Sequence, residues 1–182
     1  MDSCSSKTLP KHPLIAPDFQ EDGATGFPIP KTIENNLEVR ERLLNATRTD
    51  TNQQQQVMEL CAQSVLLWMN LFAWTYNVKV VDDDGREIPS QVQHVPFVTW
   101  PVQDAAVTSL LDGVDRGYDV LIDKSRDMGA SWLCITLATW MWLFRDNTQG
   151  LLVSRIEDLV DRRGDPDTMF WKIDYLLSNL PD

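Results

Sequence analysis

Three cysteines in 182 residues are too few, and Cys4, Cys61 and Cys134 too scattered, for a disulfide framework or a zinc site. They read as reduced thiols, with the last two packed in helices. Histidine is scarcer: His12 and His94 stand alone, and neither has a sequence neighbour that would make it a metal ligand or a catalytic base. No basic-then-apolar leader opens the chain. The most apolar stretch, Val65 to Trp74, is broken by Asn70 and falls short of the roughly 20 residues of a membrane span, so a cytoplasmic setting is expected. A basic stripe is also missing. The net charge is −11, with 8 basic and 13 acidic residues in 1–100 and 8 basic and 14 acidic in 101–182. Non-specific DNA binding normally needs such a stripe, so any DNA contact is expected to be local or made by other parts.

What is present is a chemically dense stretch from Asp119 to Trp132. Val120, Leu121 and Ile122 form a short, mostly β-branched apolar run, as in a parallel strand covered on both faces. From Ser131 the pattern becomes helical, with Trp132, Leu133, Ile135, Leu137, Trp140, Leu143 and Phe144 dense enough for a helix buried nearly all round. A strand, a short loop and a helix N-terminus are what a phosphate-gripping loop requires, because backbone N–H groups must converge on phosphate oxygens. Against G-x-x-x-x-G-K-[ST], Gly129 and Ser131 occupy the second glycine and the Mg²⁺-binding hydroxyl. Lys124 replaces the first glycine and Ala130 the lysine. On pattern alone, the alternative is an ordinary βα turn with Gly129 for tightness.

Lys124-Ser125-Arg126-Asp127-Met128-Gly129-Ala130-Ser131-Trp132 resembles the deviant Walker A loop of the large terminase subunits of tailed bacteriophages. Further pieces extend the resemblance: Trp100-Pro101-Val102-Gln103 upstream, then Gly150 to Arg155, Asp158 to Asp161, Gly164 to Asp167, Phe170 to Lys172 and Asn179 to Pro181. It covers roughly the second half of the chain. The resemblance implies ATP and Mg²⁺ as ligands, with the loop residues 124–131 holding nucleotide and Ser131 reaching Mg²⁺ through ATP. It also implies that Gln103 reads the adenine edge, since a carboxamide donates and accepts together. Arg126 is the favoured phosphate contact, its fork suiting oxygens bidentately, and Lys124 is a second or alternative charge. Asp127 departs from the Gln or Arg often found there.

Taken in order, residues 1–30 carry five prolines and two glycines and read as an extended or disordered arm. Residues 31–99 read as a helical region: an amphipathic helix from Thr32 to near Asn45, a polar Gln-rich link, a long buried helix from Val57 to Tyr76, and a small hairpin around Asp82-Asp83-Asp84-Gly85. Val78 to Asp84 imitates a Walker B strand, but Gly85 makes its acids a turn and it precedes the loop. Residues 100–182 read as the first part of a P-loop ATPase domain. A helix opens at Trp100-Pro101 and ends at Gly117, parallel strands lie near 119–123 and 150–154 across a right-handed βαβ crossover, and a last helix includes Met169 to Leu180. Ser154 and Arg155 would sit at the carboxyl end of the second strand, where open α/β sheets bind ligands.

The expected class is thus α/β: an incomplete P-loop NTPase-type parallel sheet preceded by a mostly α-helical N-terminal region with a small hairpin. Hydrolysis would need a strand ending in Asp-Glu, and no such run occurs between Ser154 and Asp182. The expectation is the front of a terminase, truncated before its Walker B and nuclease carboxylates, with no catalytic residue of its own. The implied partners are double-stranded DNA, a portal protein and a small terminase subunit, with homo-oligomers forming on the portal in the host cytoplasm and transiently on the procapsid. The alternative is a non-catalytic prophage remnant or helical interaction protein whose βαβ unit is scaffold.

Overall fold

Pro28 and Pro30, expected in an extended arm, lie in a hairpin. In the computed structural model, which describes residues 18–77, 93–126 and 128–181, β1 (Phe19–Glu21) pairs antiparallel with β2 (Pro28–Pro30), Gln20 opposite Ile29. Lys31 N–H donates to the Asp18 carbonyl at 2.7 Å and Asp22 N–H to the Phe27 carbonyl at 2.9 Å. Hydrogen-bonded positions alternate along such a pair, so both prolines fall where no N–H is required. Asp22 closes the turn by accepting from the Thr25 amide and hydroxyl.

Helices follow. Thr32 caps α1 (Ile33–Thr47) by accepting from Asn35 N–H, and Asp50 caps α2 (Thr51–Gln63) by accepting from Asn52 and Gln53 N–H. The single helix expected from Val57 to Tyr76 is interrupted at Ser64, whose backbone is extended (φ −137°, ψ 111°). Three bonds hold that break. Ser64 N–H donates to the Leu60 carbonyl and ends α2. The Ser64 oxygen accepts from Leu67 N–H and starts α3 (Val65–Phe72), and the hydroxyl donates to Asp22 at 2.7 Å. Beyond α3 the chain enters β3 (Trp74–Tyr76), antiparallel to β4 (His94–Pro96) with Thr75 opposite Val95. The hairpin and the Walker B lookalike expected across 78–88 lie outside the described residues, as do the first 17 residues of the arm.

The second half meets its helical expectations closely. α4 (Pro101–Arg116) begins with proline in its first turn and ends at Gly117, in the left-handed region at φ +72°. α5 (Ala130–Phe144) and α6 (Met169–Ser178) follow, with a single 3-10 turn at Glu157–Leu159 between them. α5 is not buried all round, because Trp142 and Leu143 face outward.

Among the described residues the architecture is therefore mixed α/β: six α-helices and two two-stranded antiparallel sheets. The expected parallel pair at 119–123 and 150–154 is not formed: both segments run outside any strand, and Leu121 and Leu151 are 95% and 86% exposed. An apolar run becomes a strand only where another strand takes up its N–H and C=O groups, and neither segment meets one. The first is nonetheless fixed at its start. A Cβ on Gly113 of α4 would collide with the Val120 side chain and the Tyr118 carbonyl.

The main core joins α3, α5 and α6. Trp68, Met69, Leu133, Ile135, Leu137, Trp140 and Leu176 are buried together, each contributing about 1.5–3 kcal/mol on the scale of full side-chain burial. Trp140 Nε1 donates to the Cys61 carbonyl at 2.8 Å, tying α5 to α2. A polar run crosses this apolar mass. Arg40 Nε donates to Asn36, and Asn36 and Arg40 Nη2 both donate to the Asn70 carbonyl. Asn70 Nδ2 donates to the Thr99 hydroxyl oxygen, Thr99 N–H returns a bond to Asn70 Oδ1, and the Thr99 hydroxyl donates to Asp104. Lys31 closes the run on Asp104 at 2.8 Å.

Candidate functional site

The N-terminus of α5 is built from Gly129 outward. Gly129 is the N-cap residue in the left-handed conformation (φ +70°, ψ 13°), and its carbonyl accepts from Leu133 N–H at 3.0 Å. Gly129 itself has no side chain with which to cap the first turn. Its orphan N–H groups and the helix dipole together favour a negative ligand. Ser131, the second helical residue, is exposed, while Ala130 and Met128 are half-buried. Lys124, Ser125 and Arg126 are exposed in the preceding loop, and among the described residues neither Lys124 nor Arg126 is engaged in an ion pair. Asp127 lies outside the described residues.

Gln103, on α4, reaches this loop. Its Nε2 donates to the Met128 carbonyl at 3.0 Å, and its Oε1 accepts from Trp100 N–H at 3.0 Å. The side chain is buried, 7% exposed. The structure thus brings Gln103 of α4 against the Gly129 loop, 25 residues away. Sequence reading did not foresee that each end of the carboxamide already makes one bond within the protein. Each end retains one further hydrogen or lone pair for a second partner. The neighbouring Asp104 is held by Lys31 and Thr99, so the start of α4 is fixed from both sides.

A cavity of about 220 Å³ opens beside the loop, with Pro96, Val98, Trp100, Gln103, Gly129 and Trp132 among its walls. None of its described lining residues carries a charge. Apolar and aromatic walls with a few polar atoms suit a planar, uncharged group. At its edge Trp132 meets Tyr175 edge-on at 5.8 Å, and Tyr175 stacks on Trp171 at 4.9 Å. Lys172 lies 5.6 Å above the Trp132 ring, with its ammonium donating to the Pro166 carbonyl at 2.8 Å. Burial pushes the Lys172 ammonium below its ordinary value, an effect Asp167 and Asp165 oppose. Sequence reading named Trp132 and Lys172 only within the resembling stretches, gave neither a site role, and did not single out Tyr175. Their i, i+3 spacing in Lys172 and Tyr175 was the available signal.

Other expected site features stand apart from this corner. Arg155 is exposed at the end of the unpaired 150–154 segment. His94, for which no site role was expected, borders this corner instead: it stacks on Trp74 at 4.1 Å and shares a hydrogen bond with the Tyr175 hydroxyl. Among the described residues no cluster of three or more His, Cys, Asp or Glu is placed to hold a metal, and no helix is long and apolar enough to cross a membrane. Compared with known proteins, the chain matches no family model, no curated protein and no solved structure.

Proposed function

We propose that residues 100–182 are the ATP-binding portion of a terminase-like DNA-packaging motor. The observation that carries the reading is the start of α5: a left-handed Gly129 that has no side chain to cap the first turn, and two exposed cations, Lys124 and Arg126, in the loop before it. In this reading the amides of Ala130, Ser131 and Trp132 receive phosphate oxygens, and Arg126 and Lys124 neutralise charge the absent Walker lysine would have met. Ser131 ligates Mg²⁺ through ATP. The uncharged cavity walled by Trp100, Gln103 and Trp132 takes the base. In the complete motor, 119–123 and 150–154 would pair as parallel strands of a P-loop sheet, covering the exposed Leu121 and Leu151. Hydrolysis needs an Asp-Glu strand, for which no run between Ser154 and Asp182 qualifies. Double-stranded DNA, a portal and a small subunit would be the complete motor's partners.

Titration of a fluorescent ATP analogue, with and without Mg²⁺, tests the reading. Arg126→Ala should weaken binding by roughly 1.5–3 kcal/mol, the worth of a hydrogen bond to a charged group. Ser131→Ala should leave metal-free binding intact and remove the gain that Mg²⁺ confers. Lys124→Ala should match Arg126→Ala only if both side chains reach phosphate. A second reading, a non-catalytic interaction protein, is favoured by the unpaired apolar segments. It takes over if the parent chain and all three variants bind alike or not at all.

A further inference from the structure

Helix α1 turns a polar side inward and an apolar side outward. Asn36 and Arg40 are buried, whereas Ile33, Leu37 and Leu44 are 48%, 43% and 43% exposed. The roll of the helix is fixed from within. Asn36 Nδ2 and Arg40 Nη2 donate to the Asn70 carbonyl, Arg40 Nη2 also donates to the Ala73 carbonyl, and Arg40 Nε donates to Asn36. Rolling α1 to bury the three apolar side chains would break the bonds to α3 and leave its terminal carbonyls without those donors. The chain therefore holds an apolar stripe toward solvent.

At 100° per residue Ile33, Leu37 and Leu44 fall within about 40° of one another, in a stripe about 16 Å long. Glu34, Glu38 and Glu41, all exposed, run along one edge of it. Glu38 pairs with Arg42, but among the described residues Glu34 and Glu41 have no cationic partner. At its Leu44 end the stripe meets a second cavity, of about 380 Å³, which shares no lining residue with the one at Gly129. Leu44, Leu71, Phe72, Trp74, Leu180 and Pro181 form its apolar walls. Arg40 borders it too, but Nε and Nη2 are spent on protein acceptors and Nη1 is enclosed, so what the cavity offers is apolar volume.

We propose that this face docks an amphipathic helix of a basic partner protein. The partner's apolar ridge lies on Ile33, Leu37 and Leu44, one large apolar side chain enters the cavity, and Lys or Arg residues stand beside Glu34 and Glu41. Shape and charge select this occupant. Stripe residues spaced by four and seven positions match the anchors of a helix laid in a groove. Two carboxylates without partners on one flank favour cations, and they disfavour both an anionic bilayer and a second copy bearing the same acidic row. The surface is independent of the nucleotide reading.

Fluorescence anisotropy of a labelled peptide titrated with the full chain tests this. The probe is a capped helical peptide of about 18 residues, five turns, with Leu and one central Phe along one face and Lys along its flank. One control replaces every Lys by Glu, and another scrambles the order at constant composition. Saturable one-to-one binding of the probe is expected, with each control weaker by about tenfold or more. Leu37→Gln and Leu44→Gln should each lower the affinity by roughly three- to tenfold. Glu41→Lys should do the same, while Glu157→Lys, an equal charge change on the 3-10 turn, should leave it within about twofold. All four side chains are exposed, and circular dichroism checks that each variant is folded. No saturable binding of the probe, equal binding of either control, or an affinity unchanged in both leucine variants overturns the proposal. So does a parent dimer in sedimentation that Leu37→Gln dissociates, which gives the face to a second copy, or binding to phosphatidylglycerol vesicles that Leu37→Gln removes, which gives it to a membrane.

Discussion

The Gln103 side chain and the Met128 carbonyl are joined by a 3.0 Å hydrogen bond, and the same carboxamide accepts from Trp100 N–H. One buried residue thereby sets the distance between the start of α4 and the start of α5. The geometry of the Gly129 loop is consequently a property of two helices rather than of the loop alone.

Gln103→Ala should destabilise the chain by about 1–3 kcal/mol, the cost of leaving a buried donor or acceptor unsatisfied. Gln103→Glu separates the two bonds. Its carboxylate can still accept from Trp100 N–H but meets the Met128 carbonyl with an acceptor, so it should be at least as damaging as alanine. Urea unfolding monitored by far-UV circular dichroism measures both, and an alanine variant as stable as the parent would show that the link carries no energy.

Gly129 and Gly117 allow a matched comparison. Both have left-handed backbones, at φ +70° and +72°, but a Cβ at Gly129 would come within 3.0 Å of Gln103 Nε2 while one at Gly117 meets nothing within 4 Å. Alanine at 117 should cost about 1–2 kcal/mol from the backbone conformation. Alanine at 129 should cost that and more, because Gln103 must shift. Equal midpoint changes in thermal unfolding of the two variants would remove the Gln103 contact from the account.

Stability should also fall with acid through His94. Burial first, and then the positive charge of Arg40, hold its imidazole below the ordinary 6.5. The unfolded chain therefore binds the proton more readily than the folded one, so the contribution of His94 is complete above 6.5 and is lost as pH falls from there through the lower folded value. His94→Gln should flatten the slope of stability against pH in that window. A variant that loses stability as steeply as the parent would place the acid sensitivity elsewhere.

The sequence made α4, α5 and α6 legible, because their apolar periodicity, the proline at 101 and the glycine at 117 are all local signals. The association of Trp100–Gln103 with the Gly129 loop was legible only through resemblance. Ser64 was not, since nothing in the apolar run around it marks a break, and the Asp22 carboxylate that receives its hydroxyl lies 42 residues away. The face of α1 was read only in part. Of the apolar set Ile33, Leu37, Leu43 and Leu44, Leu43 packs against Ile29, Leu67 and Leu71, but the other three are each more than a third exposed, while Asn36 and Arg40 are buried. The cause is tertiary: α1 packs on the C-terminal end of α3, whose carbonyls attract donors rather than methyl groups. The unpaired segments at 119–123 and 150–154 illustrate the limit of pattern reading, since a continuous apolar run specifies what could enter a sheet and not whether neighbouring strands are at hand.

The polar run from Arg40 to Lys31 constrains how such a sequence can drift. Apolar positions around Met69 and Ile135 can exchange one aliphatic residue for another of similar volume at modest cost. Asn36, Asn70, Thr99 and Asp104 cannot, because each donor is matched to a named acceptor and a single replacement strands its neighbour. Descendants of a common ancestor would therefore differ freely in the greasy positions while inheriting these four, with Lys31 and Arg40, as a block. That discontinuous set of six, spread over 74 positions from 31 to 104, is a more durable mark of kinship than overall identity.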